Sequence, residues 1–298
     1  MTQPLGLAAA WPAPGKLNLF LHVVGRRPDG YHDLQTAFQF IDEPCDAVTF
    51  ERLEPGRIER RAPVSGVAEA DDLTVRAARL LQRVAAAGGK VVPGVAIRLD
   101  KRLPMGGGVG GGSSDAATVL VALNELWGLR WPVAQLADIG LGLGADVPVF
   151  VHGRGAWAEG VGDRLTPYDF PERTYLVVRP DVEVATAEIF KAHELTRDSP
   201  ITTIRGFLLD GGRNDCEPVV RRRYPEVAEA LDWLARHAPA RLTGTGSCVF
   251  AELPDRARAE AVLATLPSRW RGWVTRSVNL SPLLARLQEE RQAGGSVL

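Results

Sequence analysis

Hydrophobic and polar residues alternate along the chain with two different periods, one typical of strands and one typical of helices. Near the N-terminus, two apolar stretches flank Pro28-Asp29-Gly30, which favours a tight turn, so this part predicts a β-hairpin. Because both periods recur through the whole chain, the pattern predicts an α+β or α/β fold and not a helical bundle or a β-sandwich. The predicted strands lie at residues 17–24, 34–41, 95–99 and 175–178, and the predicted helices at 72–87, 133–141 and 226–237.

A cluster of glycines lies between a predicted strand and a predicted helix. Six of the seven residues 106–112 are Gly, and the helix that follows is expected to be capped by Ser113-Ser114-Asp115 and to run to about Trp127. Glycine has no Cβ and accepts positive φ, so successive amides can converge on an anion, and a helix N-terminus adds positive potential. The sequence therefore predicts a phosphate-binding loop. A flexible linker is the alternative, but linkers do not usually join a strand to a capped helix.

The sequence departs from three well-known phosphate-binding patterns. A Walker loop needs Gly-Lys-Ser/Thr, where this chain has Gly112-Ser113-Ser114. Gly106, Gly108 and Gly111 fit the spacing of a dinucleotide-binding loop, but no acidic residue closes a strand about 20 residues later. The His-Arg-Asp and Asp-Phe-Gly signatures of protein kinases are absent from the sequence. A different class of kinase is therefore expected.

The charge balance limits the classes of partner. With 35 Lys+Arg and 36 Asp+Glu, the net charge is −1, which cannot supply the broad positive field that binding to nucleic acid or to anionic membranes requires. The run at residues 221–223 is three arginines, but it has Glu217 and Glu226 as neighbours and is expected to be a solvated surface. Neither nucleic acid nor a membrane is expected as a partner, and recognition of phosphate must be local.

Cysteine spacing and the first residues predict a cytoplasmic protein. Cys45, Cys216 and Cys248 are odd in number and far apart, so neither a disulfide framework nor a thiolate zinc site is expected. Residues 1–15 lack a basic start and contain three prolines, which is unlike a secretory signal peptide. No apolar run approaches the roughly 20 residues that a membrane-spanning helix needs.

Three segments, in the same order, resemble the motifs of GHMP kinases. Residues 104–117 (PMGGGVGGGSSDAA) resemble the phosphate loop of that family, and residues 13–19 (APGKLNL) resemble its N-terminal motif. Residues 242–248 (LTGTGSC) resemble its third motif, a glycine turn that supports the phosphate loop from the second domain. Residues 18–36 resemble the branch of the family that acts on a cytidine-diphosphate-linked methylerythritol. The chain departs from that branch at Gly15, where Ala is more common, and at Asp115, where Asn is often found.

The resemblance implies a two-domain α+β fold and a phosphoryl-transfer reaction. It implies an N-terminal domain with a left-handed βαβ crossover and a ferredoxin-like C-terminal domain. We place the ATP-binding domain at residues 1–157 and the substrate-side domain at 158–298, and expect the glycine-rich residues 153–163 to cross between them. The implied reaction is transfer of the γ-phosphoryl group of ATP to a substrate hydroxyl, in the non-mevalonate route to isoprenoid precursors. Mg²⁺ is expected with ATP.

The resemblance also implies roles for individual residues. Asp146 is the expected general base, and Lys16 is expected to lower the pKa of the attacking hydroxyl and to neutralise developing charge. Without the resemblance, Asp146 would be taken for a helix cap before Pro148. Ser114 is expected to reach a metal ion directly or through water, although the sequence offers no convincing acidic ligand for one. The expected ATP-binding residues are Lys101, Pro104, Met105, Gly106, Gly107, Gly108, Val109, Gly110, Gly111, Gly112, Ser113 and Ser114.

The expected substrate site is an aromatic pocket for cytosine. In the pattern of that branch, Tyr31 and Phe190 stack on the base and His32 binds its edge. Asn18, Phe38, Val161 and Thr186 match positions that line the rest of the pocket. Taken alone, Tyr31 and Phe38 could equally be core residues and His32 a turn residue.

Two other functions fit part of this pattern. A kinase for mevalonate, homoserine or galactose would share the phosphate loop but not the Tyr31-His32 pocket. A catalytically silent ATP-binding sensor on the same fold would not need both Lys16 and Asp146. The sequence does not decide between a monomer and a homodimer.

Overall fold

The computed structural model describes residues 10–294, and its first feature is a long antiparallel hairpin. Strand β1 (Trp11–Arg26) pairs with β2 (His32–Leu53) from Trp11 opposite Val48 to Arg26 opposite His32. The predicted Pro28-Asp29-Gly30 turn joins them, and Gly30 takes a φ of +89° there. The strands predicted at residues 17–24 and 34–41 are therefore the central parts of longer strands. Most of residues 1–15, which are predicted not to be a signal peptide, lie outside the described residues.

A parallel β-α-β unit follows the hairpin and leads to the glycine cluster. Its strands β3 (Ile58–Arg60) and β4 (Gly94–Asp100) lie side by side, and helix α1 (Leu73–Ala87) connects them. The carboxylate of Asp72 caps α1 by accepting a hydrogen bond from the amide of Thr74 at 2.9 Å. Strand β4 also pairs with β2, so the strand that precedes the glycines is held in the main sheet.

The helix after the glycine cluster begins earlier than predicted. Helix α2 (Gly111–Leu126) has Gly110 as its N-cap, with a φ of +73°, and not a serine or aspartate. Glycine accepts this left-handed conformation, so the helix starts inside the glycine run. Ser114 and Asp115 consequently lie within the helix and are buried. Helices α3 (Val133–Leu141) and α4 (Val147–His152) then pack near α2.

The glycine-rich residues 153–163, which were expected to cross between domains, contain a five-residue strand of the main sheet. Strand β5 (Ala156–Gly160) pairs with β2 and with β6 (Arg164–Pro167). Ala156, Trp157 and Ala158 of β5 are buried, because they are small or apolar enough to pack within the sheet. The predicted boundary after residue 157 falls inside β5. The assignment of domains to residues 1–157 and 158–298 stays a prediction.

The second half forms an antiparallel sheet covered by helices. The sheet order is β10-β7-β9-β8, and β10 also pairs with β2 through Ser277 opposite Ile41, which joins the two halves. The elements in chain order are β7 (Thr174–Arg179), α5 (Thr186–Lys191), α6 (Ile204–Asp210), α7 (Glu217–Arg223), α8 (Pro225–Ala235), β8 (Ala240–Leu242), β9 (Val249–Leu253), α9 (Arg256–Leu263), β10 (Arg271–Val278) and α10 (Pro282–Gly294).

Buried side chains form three apolar clusters. One cluster fills the first half, where the rings of Phe40 and Phe150 lie 5.7 Å apart, and a second lies among the helices of the second half. The third cluster contains residues from both halves, including Phe20 stacked on Phe207 at 4.7 Å. This shared cluster holds the halves against each other beside the glycine loop.

Two simpler observations complete the description. All three cysteines of the chain are free thiols. Among residues 10–294, no helix is both long and apolar enough to cross a bilayer.

We expect Phe40→Ala to destabilise the protein by about 3–5 kcal/mol, because it leaves a cavity at a fully buried position in the first cluster. Urea unfolding followed by circular dichroism measures this change. Val91→Ala is the control, because Val91 is 87% exposed and its truncation should change the free energy of unfolding by no more than about 0.5 kcal/mol. A cost below about 1 kcal/mol for Phe40→Ala would contradict the assignment of this core.

Candidate active site

The glycine loop between β4 and α2 has an alternating backbone conformation. Gly106, Gly108 and Gly110 have φ values of +65°, +74° and +73°, whereas Val109 between them has no positive φ. A backbone that alternates in this way points successive amides toward a common point, where an anion can bind. At Gly108, a Cβ would lie 2.2 Å from the carbonyl oxygen of Thr243, so no larger residue fits without movement.

The third motif, residues 242–248, forms hydrogen bonds with the carbonyl groups of this loop. The amides of Ser247 and Cys248 donate to the carbonyls of Gly106 and Gly107 at 3.2 and 3.0 Å, and the hydroxyl of Thr243 donates to the carbonyl of Gly108 at 3.3 Å. In the part of the chain that the structure describes, no protein group accepts from the amides of residues 106–110. The loop carbonyls are therefore satisfied, and the amides remain available to an anionic ligand.

Lys16 and Asp146 meet beside the loop. The ammonium of Lys16, almost wholly buried, lies 3.3 Å from Oδ2 of Asp146 and also donates to the carbonyl of Gly108 at 3.2 Å and to the side chain of Asn18. Asp146 does precede a helix, as its alternative interpretation required, but its side chain makes no capping hydrogen bond to α4. The carboxylate, with its side chain 35% exposed, instead faces Lys16.

Asn18 connects the hairpin with the third motif. Its Nδ2 donates to the hydroxyl of Thr36 at 3.0 Å, and its backbone amide donates to the hydroxyl of Thr243 at 3.1 Å. Because Asn18 also accepts from Lys16, these contacts hold the lysine side chain in one direction. Strands β1 and β2 thus position the cation of the pair, whereas Asp146 is placed by the start of α4.

Most of the predicted site residues line one cavity of about 580 Å³ between the two halves. It is large enough for small-molecule ligands. The predicted residues that line it are Lys16, Asn18, Phe38, Lys101, Pro104, Met105, Gly106, Gly107, Gly108, Gly110, Gly111, Gly112, Ser113, Asp146, Val161, Thr186 and Phe190.

Val109 and Ser114 have side chains that do not line this cavity. Val109 is fully buried among apolar residues, and its carbonyl accepts from the amide of Lys16 at 2.9 Å. Ser114 is also fully buried, because the helix starts early and turns this position toward the core. Its hydroxyl has no hydrogen-bond partner among the described residues. Ser113, not Ser114, is the loop serine on the cavity wall.

Tyr31 and His32 do not line this cavity, although His32 contacts Phe190, which does. Tyr31 is 63% exposed at the hairpin turn. His32 is nearly buried, and its ring stacks on Phe190 with the centroids 5.3 Å apart and the planes inclined by 29°. Burial, followed by the positive charges of Arg197 and Arg26, lowers the pKa of His32. Tyr31 directly precedes His32 in the chain, and Phe190 stacks on the His32 ring. Both aromatic residues predicted to bind the base therefore lie beside His32.

Lys101 lies between two buried carboxylates at the entry to the loop. It donates to Asp46 and, at 2.7 Å, to Asp115. Burial acts to lower the pKa of Lys101, but the charges of the two carboxylates and their hydrogen bonds outweigh burial and raise it. For Asp115, burial is the largest effect and raises the pKa to about 8. The single ammonium group of Lys101 thus contacts both Asp46 and Asp115. The raised pKa of Asp115 favours its neutral form.

The sequence did not single out Asp46 or Arg197. Asp46 accepts from the backbone amides of Arg102 and Leu103 at 2.5 and 2.7 Å, so it orders the chain just before the glycine loop. Arg197 donates to His32 at 3.0 Å. Their partners lie 55 and 165 residues away, and no local pattern marks either residue. The sequence marked Asp115 as a possible helix cap and as a departure from the family branch, but not as a partner of Lys101.

The sequence matches two family descriptions in the expected order. Residues 72–154 match the GHMP kinases N terminal domain, and residues 193–272 match the GHMP kinases C terminal domain. Together they cover more than half of the chain, and the first includes the glycine loop and Asp146.

The chain belongs to the GHMP kinase family.

Named relatives of this GHMP kinase are similar over nearly the whole chain. The 4-diphosphocytidyl-2-C-methyl-D-erythritol kinase of Nitrosococcus oceani is 56% identical over 279 residues, which are 94% of this chain and 98% of that protein. The kinase of the same name from Pseudomonas aeruginosa is 54% identical over 277 residues, covering 93% and 96% of the two chains. The predicted family is confirmed, as is its ATP-dependent kinase class.

Solved structures confirm the GHMP kinase fold with its two domains. A crystal structure of 4-(cytidine 5'-diphospho)-2C-methyl-D-erythritol kinase matches with a TM-score of 0.76 and 32% identity, over 90% of this chain and 98% of that one. Mevalonate kinase from Methanococcus jannaschii matches with a TM-score of 0.67 over 92% and 99% of the chains. At 15% identity, that second match concerns the fold alone.

We expect Gly108→Ala to weaken binding of an ATP analogue at least about tenfold, because the new methyl group would collide with the Thr243 carbonyl and displace the loop. Isothermal titration calorimetry measures the dissociation constant. The matched control is Gly56→Ala, since Gly56 also has a positive φ, +87°, but a Cβ there would meet nothing within 4 Å. Equal effects of both substitutions would attribute the loss to backbone strain and contradict the contact.

We expect Asp115→Asn to reduce the loss of stability at alkaline pH. The pKa of Asp115 is raised from 3.8 to about 8 in the fold, so its contribution is complete below pH 3.8 and is lost as the pH rises through about 8. Thermal unfolding at pH 6 and pH 9 should show a larger fall in Tm for the wild type than for the variant. The exposed residue Asp100 offers the control Asp100→Asn. Parallel falls for the wild type and Asp115→Asn would refute this explanation.

Proposed function

We propose that this chain transfers the γ-phosphoryl group of ATP to a hydroxyl of 4-diphosphocytidyl-2-C-methyl-D-erythritol, a step in the non-mevalonate route to isoprenoid precursors. The observation that carries the proposal is the Lys16–Asp146 pair beside the glycine loop, with a separation of 3.3 Å. A phosphoryl-transfer site needs a base for the attacking hydroxyl next to a cradle for the phosphates. The substrate follows from the relatives that share more than half of their residues with this chain.

The proposed mechanism uses the carboxylate of Asp146 as the base. The substrate hydroxyl gives its proton to Asp146, its oxygen forms a bond to the γ-phosphorus, and the bond from that phosphorus to the β–γ bridging oxygen breaks to leave ADP. Lys16, held by Asn18 and Gly108, places a positive charge where negative charge develops on the attacking oxygen. These residues are therefore proposed to act in the transition state and not only in binding.

The loop is proposed to bind the phosphates of ATP through its backbone. Amides of residues 106–110 and the N-terminus of α2 supply the donors. Lys101, which lines the same cavity, supplies a positive charge. We propose the same ATP-binding residues that the sequence predicts. Val109 is proposed to contribute its backbone, and Ser114 to contribute as part of the first turn of α2.

The cytidine end of the substrate is proposed to lie at the other end of the cavity. Tyr31 and Phe190 offer faces for the base, and stacking of this kind contributes about 1–3 kcal/mol for each base. Asn18, Phe38, Val161 and Thr186 line the same cavity and are proposed to contact the rest of the substrate. His32 is proposed to bind the edge of the base.

Mg²⁺ is proposed to enter with ATP. Among residues 10–294 there is no group of three or more His, Cys, Asp or Glu side chains that could hold a metal ion. Mg²⁺ in kinase sites is held largely by the substrate phosphates, so the hydroxyl of Ser113 on the cavity wall fits an ion carried by the nucleotide. When bound, the ion neutralises charge on the phosphates. A cytoplasmic location, and a monomer or homodimer, stay predictions.

An assay for released ADP tests the proposed function. The protein is supplied with ATP, Mg²⁺ and one acceptor at a time: 4-diphosphocytidyl-2-C-methyl-D-erythritol, mevalonate or homoserine. We expect turnover with the cytidyl substrate alone. Turnover with mevalonate or homoserine instead would assign another member of the family, and ATP binding without any turnover would show a sensor.

We expect Asp146→Asn to lower kcat about 10²–10⁴-fold while the affinity for an ATP analogue stays nearly unchanged, because the base is lost and the cavity keeps its shape. Steady-state kinetics and calorimetry measure the two quantities. Asp169→Asn, at an exposed position, is the control and should keep wild-type kcat. A wild-type kcat in Asp146→Asn would remove Asp146 from the mechanism.

A further inference from the structure

Arg197 connects His32 with the segment that carries Phe190. Its guanidinium donates from Nε to Nε2 of His32 at 3.0 Å. Its other nitrogens donate to the carbonyls of Leu195 at 3.0 Å, Phe190 at 3.0 Å and Ala192 at 2.6 Å. One side chain therefore fixes the start of β2 relative to the C-terminal end of α5. These are the two places from which the proposed cytosine pocket is built.

The contact with Arg197 determines where the proton of His32 lies. A guanidinium has only donors, so the ring nitrogen that faces it must present a lone pair. The imidazole is then neutral, and its single proton lies on the other nitrogen, Nδ1. The assignment follows from the ring orientation in which Nε2 faces Arg197. Among the described residues, no protein group accepts a hydrogen bond from Nδ1, so this donor is free for a ligand.

The charges around His32 favour the same neutral state. Arg197 and Arg26 are the charged groups that act on it, and both are positive. Its ring also stacks on Phe190, which offers no acceptor for a second proton. A protonated imidazolium would place a third positive charge at this position and would lose the hydrogen bond from Arg197.

A histidine that can only donate distinguishes two pyrimidines. Ring nitrogen N3 of cytosine is an acceptor, whereas N3 of uracil carries a hydrogen and is a donor. A site whose fixed donor faces this edge pairs with cytosine and leaves two donors opposed with uracil. The opposite tautomer of His32, with Nδ1 as an acceptor, would reverse this preference.

We propose that Arg197 is a positioning residue that holds His32 in the Nδ1–H tautomer, and that this tautomer selects a cytosine over a uracil nucleotide. The proposal rests on the proposed function, since it takes the ligand at His32 to be the cytidyl part of the substrate. Arg197 acts through His32 and is not assigned any contact with the substrate.

The first test reads the tautomer directly, without any catalytic measurement. Nitrogen-15 NMR of protein labelled at histidine distinguishes a protonated from an unprotonated ring nitrogen, and His32→Gln identifies the His32 signals by their loss. We expect Nδ1–H in the wild type and a mixture of tautomers in Arg197→Ala. The matched control is Arg223→Ala, because Arg223 also contacts α5 but forms its ion pair with Glu194 and not with His32. Nε2–H in the wild type, or an unchanged tautomer in Arg197→Ala, would overturn the proposal.

The second test reads specificity. In Arg197→Ala we expect the KM for the cytidyl substrate to rise at least about tenfold, with the KM for ATP within about twofold of wild type. The ratio of kcat/KM for the cytidyl substrate to that for its uridine analogue should fall. Arg197→Lys, which keeps a donor and a charge, should recover part of the ratio. An equal loss for both analogues would show a structural role alone and would overturn the selection of cytosine.

The two tests separate this proposal from the function on which it rests. If the chain does not phosphorylate the cytidyl substrate but the His32 tautomer still depends on Arg197, the proposed function fails and the assignment of the tautomer stands. If the chain phosphorylates that substrate and the tautomer does not depend on Arg197, the proposed function stands and this proposal fails. Thermal unfolding of Arg197→Ala shows whether the variant is folded, and Arg197→Lys provides the tautomer measurement if it is not.

Discussion

The hydrogen bonds between the third motif and the glycine loop are the contacts on which the site depends. Gly106, Gly107 and Gly108 have no side chains to hold their conformation, and their carbonyls are bound by Ser247, Cys248 and Thr243. Because those carbonyls face the second half, the loop amides are left for a ligand. The same loop accepts from Lys16, so the position of the cation follows from the position of the loop. The two halves therefore build one site and not two neighbouring sites.

A nearly neutral protein can bind two polyanionic ligands because the positive potential is local. Backbone amides and the start of α2 carry no net charge, yet they attract phosphate. The cations at the cavity are few, and each has acidic partners: Asp146 for Lys16, and Asp46 with Asp115 for Lys101. These carboxylates keep the lysines in place before a ligand arrives. Asp146 and Asp46 also offset the charges of the two lysines, which limits the positive charge of the cavity.

Local signals in the sequence predicted much of the fold and of the site. The hairpin turn, the helix after Asp72 and the helix at residues 133–141 all depend on neighbouring residues, and all three are present. The predicted start of α2 was wrong because serine is a usual N-cap residue and was expected to begin the helix. Gly110 begins it instead, in a left-handed conformation that serine disfavours. In residues 153–163 the glycine frequency indicated a connection and gave no sign of the strand at residues 156–160, which depends on pairing with β2. Asp46 and Arg197 depend on partners far along the chain, which a single sequence does not reveal.

The last described helix has a consequence for the order in which the protein can form. Leu283 and Leu287 of α10 belong to the apolar cluster of the first half, and the guanidinium of Arg286 lies 4.9 Å from the ring of Trp11. Residues from opposite ends of the described chain thus complete one core. During synthesis on the ribosome, the first half emerges long before α10 and must wait with part of its apolar surface uncovered. The core of the first half is therefore completed only when the last described helix has been made.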